Sequence, residues 1–390
     1  MGGRGVRVRI LGVAVTFLLI AGSAAAKETV YVAFLGPLTG GVSANGIGGR
    51  NSADLAVRLR NADPNARYRY ELISYDTECK PSTGVQVATR AAADRRVVAA
   101  VAHYCSVVAL ATVHVYHRFG LPIVVWGAVH PDITYGNDYR EIHRINGTMI
   151  NQNEVASKFM RSLGYETWAI LYDTTDYGKG HKKYFTKYLQ ENGGKVLASF
   201  GVTPDQQDFT AELTEIKALD PQVVYFGGLT PLGVRIRAQM ERIGLTSQFE
   251  GTSGIMSDAY IEALGPLAEG TLAFREGAPV DKLPGGRFFV EKYREQGYKE
   301  PPEAYGPFAF AAMNLVLDII ERVGPDREKV RDALNAVKDY DTIVGPVTFD
   351  ANGQNVVPLI TKYVVQDGRW TVWEDSAYAR GERRLRRLGE

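Results

Sequence analysis

The chain has 390 residues, a formal net charge of +1, 45% hydrophobic residues and 10% aromatic ones. That composition excludes a disordered chain. The near-neutral, evenly mixed charge excludes a nucleic-acid partner, because neutralising phosphates takes a basic face.

Arg4, Arg7 and Arg9, the 12-residue apolar run 10–21 and the small residues Ala24, Ala25 and Ala26 have the form of a secretory leader. As a helix of about 18 Å, the run is too short for a hydrocarbon core of about 30 Å. Removing 26 of the 390 residues leaves 364, starting at Lys27, and the three departing arginines take the charge to −2. So long a chain exceeds what one hydrophobic core usually carries, and two domains are expected. No later stretch approaches 18 unbroken apolar residues, so a soluble mature protein is expected.

From Lys27 onward, short apolar runs alternate with amphipathic stretches, the pattern of βα units around mostly parallel sheets. Residues 30–35 read as a buried strand, 36–49 as a flexible Gly-rich loop and 52–60 as a helix. Further strands are expected at 68–74, 97–102 and 121–126, with helices at 82–93 and 106–118. A second set follows Asn146, with strands at 167–172, 195–202, 223–226 and 248–252. Its helices are expected at 154–163 and 180–190, at 208–218 with Asp208 as the cap, and at 231–243 with Pro231 in first position. A strand at 271–276 leads to helices at 287–296, 304–323 and 327–337. Strand pattern returns at 345–350 and 359–365, with Asn352 and Gly353 as a hairpin signal. The closing arginines Arg380, Arg383, Arg384, Arg386 and Arg387 read as a solvated, frayed helix end. No period of 20–50 residues repeats, which excludes a solenoid.

Two cysteines, Cys79 and Cys105, in an exported chain suggest one disulfide closing a loop of roughly 26 residues. A metal site using His103 with them lacks a fourth ligand. His114 and His117 lie three apart with no further ligand in that helix, and read as surface histidines. Gly46 and Gly48 resemble the start of a dinucleotide fingerprint, but Asn51 stands where its third glycine belongs. No HExxH, GxSxG or GxxxxGK[ST] occurs. Asp173 and Asp176 read as loop polarity ahead of a helix.

Strand-to-helix turns are more informative, because open α/β sheets bind ligands beyond the carboxyl ends of their strands. Four stand out: His103 to Ser106, with Ser106 as an N-cap candidate; Trp126 to Val129; Tyr172 to Gly180; and Gly227 to Pro231. Gly127 in the second turn lets backbone approach a ligand.

Several segments in order carry a resemblance. They are Gly36-Pro37-Leu38-Thr39-Gly40 with Gly46, Tyr75-Asp76-Thr77-Glu78-Cys79 with Cys105-Ser106, and Asp176-Tyr177-Gly178-Lys179-Gly180. Asp208-Phe209-Thr210, Val224-Tyr225-Phe226-Gly227-Gly228, Ala268-Glu269-Gly270-Thr271 and Val344-Gly345-Pro346 follow. In this order and spacing, over about residues 30–371, the chain resembles the leucine/isoleucine/valine-binding protein family, the type I periplasmic solute receptors of ABC importers. The resemblance implies an α/β fold of two doubly wound lobes with mostly parallel sheets, joined by three crossovers near 144–146, 274–277 and 344–346. Lobe 1 would hold 27–144 and 277–344, lobe 2 would hold 145–276 and 345–376, and 377–390 would form a basic tail. It also implies the Cys79–Cys105 bond, a periplasmic monomer without cofactor or metal, and a membrane permease as partner. The protein would bind and hand over a solute without bond chemistry, by a shift between open and closed lobes. A sensor of the same fold and a secreted α/β enzyme are the competing readings.

The implied ligand residues transfer unevenly. Ser106 matches the serine that holds an α-carboxylate, Ala128 a backbone contact to it, and Tyr177 a tyrosine beside the ligand. Val129 replaces a threonine hydroxyl, and Ser253 replaces the glutamate that pairs with an ammonium. Asn45 and Leu229 replace aromatics of the side-chain pocket. A buried ammonium without its acid loses about 3–5 kcal/mol, over a hundredfold in affinity. The expected solute is therefore a carboxylate or neutral compound without an α-ammonium, unless Asp173 or Glu276 supplies the missing acid.

Overall fold

In the computed structural model, which describes residues 1–3, 27–356 and 359–389, two twisted sheets grow from the apolar runs. The expected leader, apart from residues 1–3, lies outside the described residues. Strands β1 (Thr29–Gly36), β2 (Arg69–Asp76), β3 (Val97–Ala102), β4 (Ile123–Val125) and β5 (Ile142–Arg144) form a parallel sheet in the order β2-β1-β3-β4-β5. The second sheet takes β6 (Thr167–Asp173), β7 (Lys195–Val202), β8 (Val223–Gly227), β9 (Gln248–Gly251) and β10 (Leu272–Glu276), all parallel. A small hairpin, β11 (Tyr340–Thr342) and β12 (Gly345–Val347), precedes β13 (Ile360–Gln366) and β14 (Arg369–Val372). Those last two extend the second sheet antiparallel, giving β14-β13-β10-β9-β8-β6-β7.

The inner strands β1, β3, β6 and β8 are buried on both faces, which is why they read as nearly unbroken apolar runs. Along β1, Val32 and Phe34 enter a core shared with helix Gly306–Val323. Ala33 and Leu35 enter the opposite core, with helices Pro81–Ala93 and Ser106–Phe119. In β6, Ala169 and Leu171 divide in the same way from Trp168 and Ile170. Each Val, Leu, Ile or Phe among them, fully buried, contributes about 1.5–3 kcal/mol.

Several elements depart from expectation. The first helix runs Ser43–Ala62, so the second half of the expected flexible loop is helix. Its glycines serve close packing instead: a Cβ on Gly46 would lie 1.7 Å from the Pro37 carbonyl oxygen, and one on Gly49 2.5 Å from the Trp126 ring. Helices Met149–Ser162 and Asp176–Glu191 also start a turn early. Asp208 precedes the cap position of Thr210–Leu219, and its carboxylate accepts from the Thr210 N–H at 3.0 Å. Pro231 is the second residue of Thr230–Arg242, and Cys105, not Ser106, occupies the cap position of Ser106–Phe119.

The chain passes between lobes after β5 and after β10. Its third passage comes later than expected. Val347 and Phe349 still belong to the first lobe's core, and Gln354 bridges Arg144, before β13 joins the second sheet. Apolar Val347 and Phe349, buried where the resemblance put the boundary, hold the segment to the first lobe. The C-terminal arginines are not a frayed helix. Leu385 is buried in the second lobe, the Tyr165 hydroxyl donates to the Arg386 carbonyl at 2.7 Å, and Arg383 pairs with Glu269 and Asp367.

Candidate functional site

The carboxyl ends of β1, β3, β4, β6 and β8 open on one cleft between the lobes. A cavity of about 520 Å³ lies there, and all four turns singled out in the sequence reach it: Tyr104 and Ser106, Gly127, Asp173 and Tyr177, and Leu229 with Pro231. The lobes touch around it. A Cβ on Gly41 of the first lobe would meet Pro231 of the second at 2.8 Å, and one on Gly180 of the second would meet His130 of the first at 3.0 Å.

Ser106 opens its helix, where first-turn N–H groups point outward and favour an anion. Its Oγ accepts from the backbone N–H of Val129 and of His130, both at 3.2 Å, leaving the hydroxyl proton to donate. The disulfide Cys79–Cys105, with Cα atoms 5.7 Å apart, ties this helix start to the segment after β2. Opposite, the Tyr177 hydroxyl accepts from the Gly254 N–H at 3.0 Å and lies 2.9 Å from Thr252 Oγ1. Tyr104 and Tyr305 add an edge-to-face pair with ring centroids 5.7 Å apart.

Sequence comparison agrees with this architecture. Residues 29–369 match the pattern of a family described as periplasmic binding proteins. This chain belongs to the periplasmic binding protein family. It is 30% identical over 349 residues to the Leu/Ile/Val-binding protein homolog 2 of Brucella abortus, covering 88% of this chain and 90% of the relative. Among solved structures, a leucine-binding protein from Thermotoga maritima is 25% identical, with a TM-score of 0.81 over 88% of this chain and 97% of its own. A solute-binding protein from Rhodopseudomonas palustris in complex with benzoate shares the fold, with a TM-score of 0.79 at 19% identity, over 88% of this chain and 95% of its own.

Of the residues the sequence singled out, Ser106, Tyr177, Leu229 and Ser253 line the binding protein's cavity. Ala128 does not. Its carbonyl accepts from Arg144, and the backbone at the cavity is that of Gly127, whose N–H shares the His103 carbonyl with that of Ala128. Val129 packs with Met149, Tyr177 and Leu229 beside the cavity rather than on its surface. Asn45 is buried in the first turn of Ser43–Ala62, away from the cavity, and its Oδ1 has no partner among the described residues. His103 is a core residue bonded to the Tyr116 hydroxyl at 2.6 Å, with its basicity pushed down to about 3 by burial. His117 pairs with Glu141 at 2.8 Å.

Four acids stand near the cavity, one of them Asp205, which lines it from the exposed loop after β7. Asp173 lines it, and burial raises its carboxyl although Thr175 N–H donates to it at 3.0 Å. Glu78 is ion-paired with Lys80 at 2.6 Å. Glu276 is fully buried behind the wall, raised by burial, and accepts from the Tyr305 hydroxyl at 2.8 Å and from Gln152. Sequence reading missed Tyr104 and Tyr305 as lining residues. Tyr104 was within reach, inside a turn already marked. Tyr305 lies after the second passage, and only folding returns it to the cleft.

Proposed function

We propose that this protein is the extracytoplasmic receptor of an ABC importer and that its solute is a small organic acid without an α-ammonium. Ser253 carries the choice of solute. It lines the cavity at the position where, by resemblance, amino-acid receptors place the acid that pairs with an ammonium. Among the neighbouring acids, Glu276 accepts from Gln152 and Tyr305, Asp173 accepts from its own loop and Glu78 pairs with Lys80, while Asp205 lies exposed on the loop after β7. An ammonium in the closed cleft would forfeit about 3–5 kcal/mol. The helix start at Ser106, with a hydroxyl proton to donate, favours a carboxylate. The fold does not make this choice, since the Thermotoga maritima relative is named for leucine and the Rhodopseudomonas palustris one holds benzoate.

On this reading closure traps the solute, and a membrane permease recognises the closed form without any bond being broken. Residues 1–26 direct export to the periplasm, and the mature monomer starts at Lys27. Calorimetric titration with benzoate, 3-phenylpropanoate, 4-methylpentanoate and leucine tests the solute class. At least one acid binds at micromolar Kd and leucine does not; tight leucine binding with all three acids ignored overturns the reading. Ser106→Ala weakens the acid about tenfold or more. N-terminal sequencing of the exported protein and its sedimentation test the leader and the monomer.

A further inference from the structure

Ser253 does more than leave out an acid. Its Oγ accepts from Gln152 Nε2 at 3.1 Å, and the same Nε2 donates to Glu276 Oε1. Glu276 in its charged form only accepts, so it fixes which end of the Gln152 amide faces Ser253. The amide thereby fills an acceptor site of the serine and leaves its hydroxyl proton to be given elsewhere.

The other hydroxyls around the cleft sharpen that assignment. Thr252 donates to the Gly228 carbonyl at 3.2 Å, so the bond between Tyr177 and Thr252 uses the tyrosine's proton. Tyr305 spends its proton on Glu276 at 2.8 Å. Tyr177 and Tyr305 line the cavity together with Ser253. Ser106 presents the second directed proton, from the opposite lobe, because its oxygen already accepts two backbone N–H groups.

We infer that Ser253, oriented through Gln152 by Glu276, reads a second acceptor oxygen on the solute, so that the preferred ligands are oxo acids over the same acids without the oxo group. The inference rests on the acid-receptor reading and deepens it. A solute gripped from both lobes needs two acceptor sites, and a carboxylate with a nearby carbonyl is the smallest compound to offer them. The carbonyl accepts and cannot donate, so it matches a directed proton. An ammonium only donates, and would meet that proton head-on. Ser253 is here a specificity-determining residue, and Gln152 and Glu276 position it.

The test is calorimetry on the mature chain with two matched pairs, 4-methyl-2-oxopentanoate against 4-methylpentanoate and phenylpyruvate against 3-phenylpropanoate, with leucine as a fifth compound. Wild type binds the oxo member of at least one pair about tenfold more tightly, as one neutral hydrogen bond allows. Ser253→Ala brings that ratio close to one while still binding the plain acid. General damage to the fold would weaken both members alike and leave the ratio intact, so a Ser253→Ala variant that keeps the wild-type ratio overturns the inference. Equal wild-type binding within both pairs overturns it too, and leaves the acid-receptor reading standing. Binding of none of the five overturns the inference, and binding of leucine alone overturns both.

Discussion

Arg144 donates from Nε to Gln354 Oε1 at 2.6 Å, joining the chain's first passage between lobes to its third. The guanidinium is fully buried and also donates to the His130 carbonyl at 2.6 Å and to Thr134 Oγ1 at 2.9 Å. Among the described residues no carboxylate is bonded to it, and burial pushes its ionisation down to about 10. Gln354 in turn donates to the Asn146 carbonyl at 2.9 Å. A charged group paired only with neutral acceptors depends on keeping all of them. Gln354→Leu, close in volume, therefore costs about 1.5–3 kcal/mol, read as a lower urea midpoint at an unchanged slope. An unchanged midpoint would show that the bond contributes nothing.

The Cys79–Cys105 bond closes a loop of 26 residues, and both cysteines line the cavity. On the chain-entropy account, opening it lowers stability by about 3 kcal/mol. It also releases the start of the helix that carries Ser106. A Cys79→Ala/Cys105→Ala double variant is expected to lose both thermal stability and solute affinity. Wild type with reductant should follow it, and in oxidising buffer should not.

Glu250 lies fully buried in β9, with one contact from the Trp168 indole at 3.3 Å and its Oε1 unpaired among the described residues. Burial pushes its carboxyl up to about 8. The folded chain thus holds a proton that the unfolded chain releases near pH 4.5. Its contribution is fully present below that point, falls as pH rises towards 8, and is level beyond. The slope within the window is about 1.4 kcal/mol per pH unit. Glu250→Gln cannot titrate, so variant minus wild-type stability should climb between pH 5 and 8 in denaturant melts. A constant difference would contradict the assignment.

Arg386 and Leu385 pack near the starts of β6, β8 and β9, at the opposite end of the sheet from the cavity. Arg387 pairs with Asp220 just before β8. Ending the chain at Ala379 exposes the Tyr165 side of the core and removes Leu385, for a loss of about 2–3 kcal/mol. Solute affinity should stay within twofold of wild type. Titration and thermal melts on the same preparation separate the two effects.

Much of the architecture could be read from the residues because it depends on local pattern. The runs at β3 and β7 coincide with their expected bounds, and the four turns at strand ends all arrive at one cleft. The misplaced boundaries have a common cause. Gly46 and Gly49 look like flexibility in sequence, yet they let helix Ser43–Ala62 lie against Pro37 and Trp126, partners only the fold supplies. Gly127 and Ala128 are adjacent and both donate to the His103 carbonyl, yet only Gly127 lines the cavity, while the Ala128 carbonyl turns to Arg144. The sequence by itself determined two α/β lobes and Ser106 at a helix start, because hydrophobic period and chain order are local properties. The tertiary structure alone decided that Tyr305 returns to the cleft, and that Gln152 and Glu276 aim Ser253, because those bonds join residues 29 to 124 positions apart.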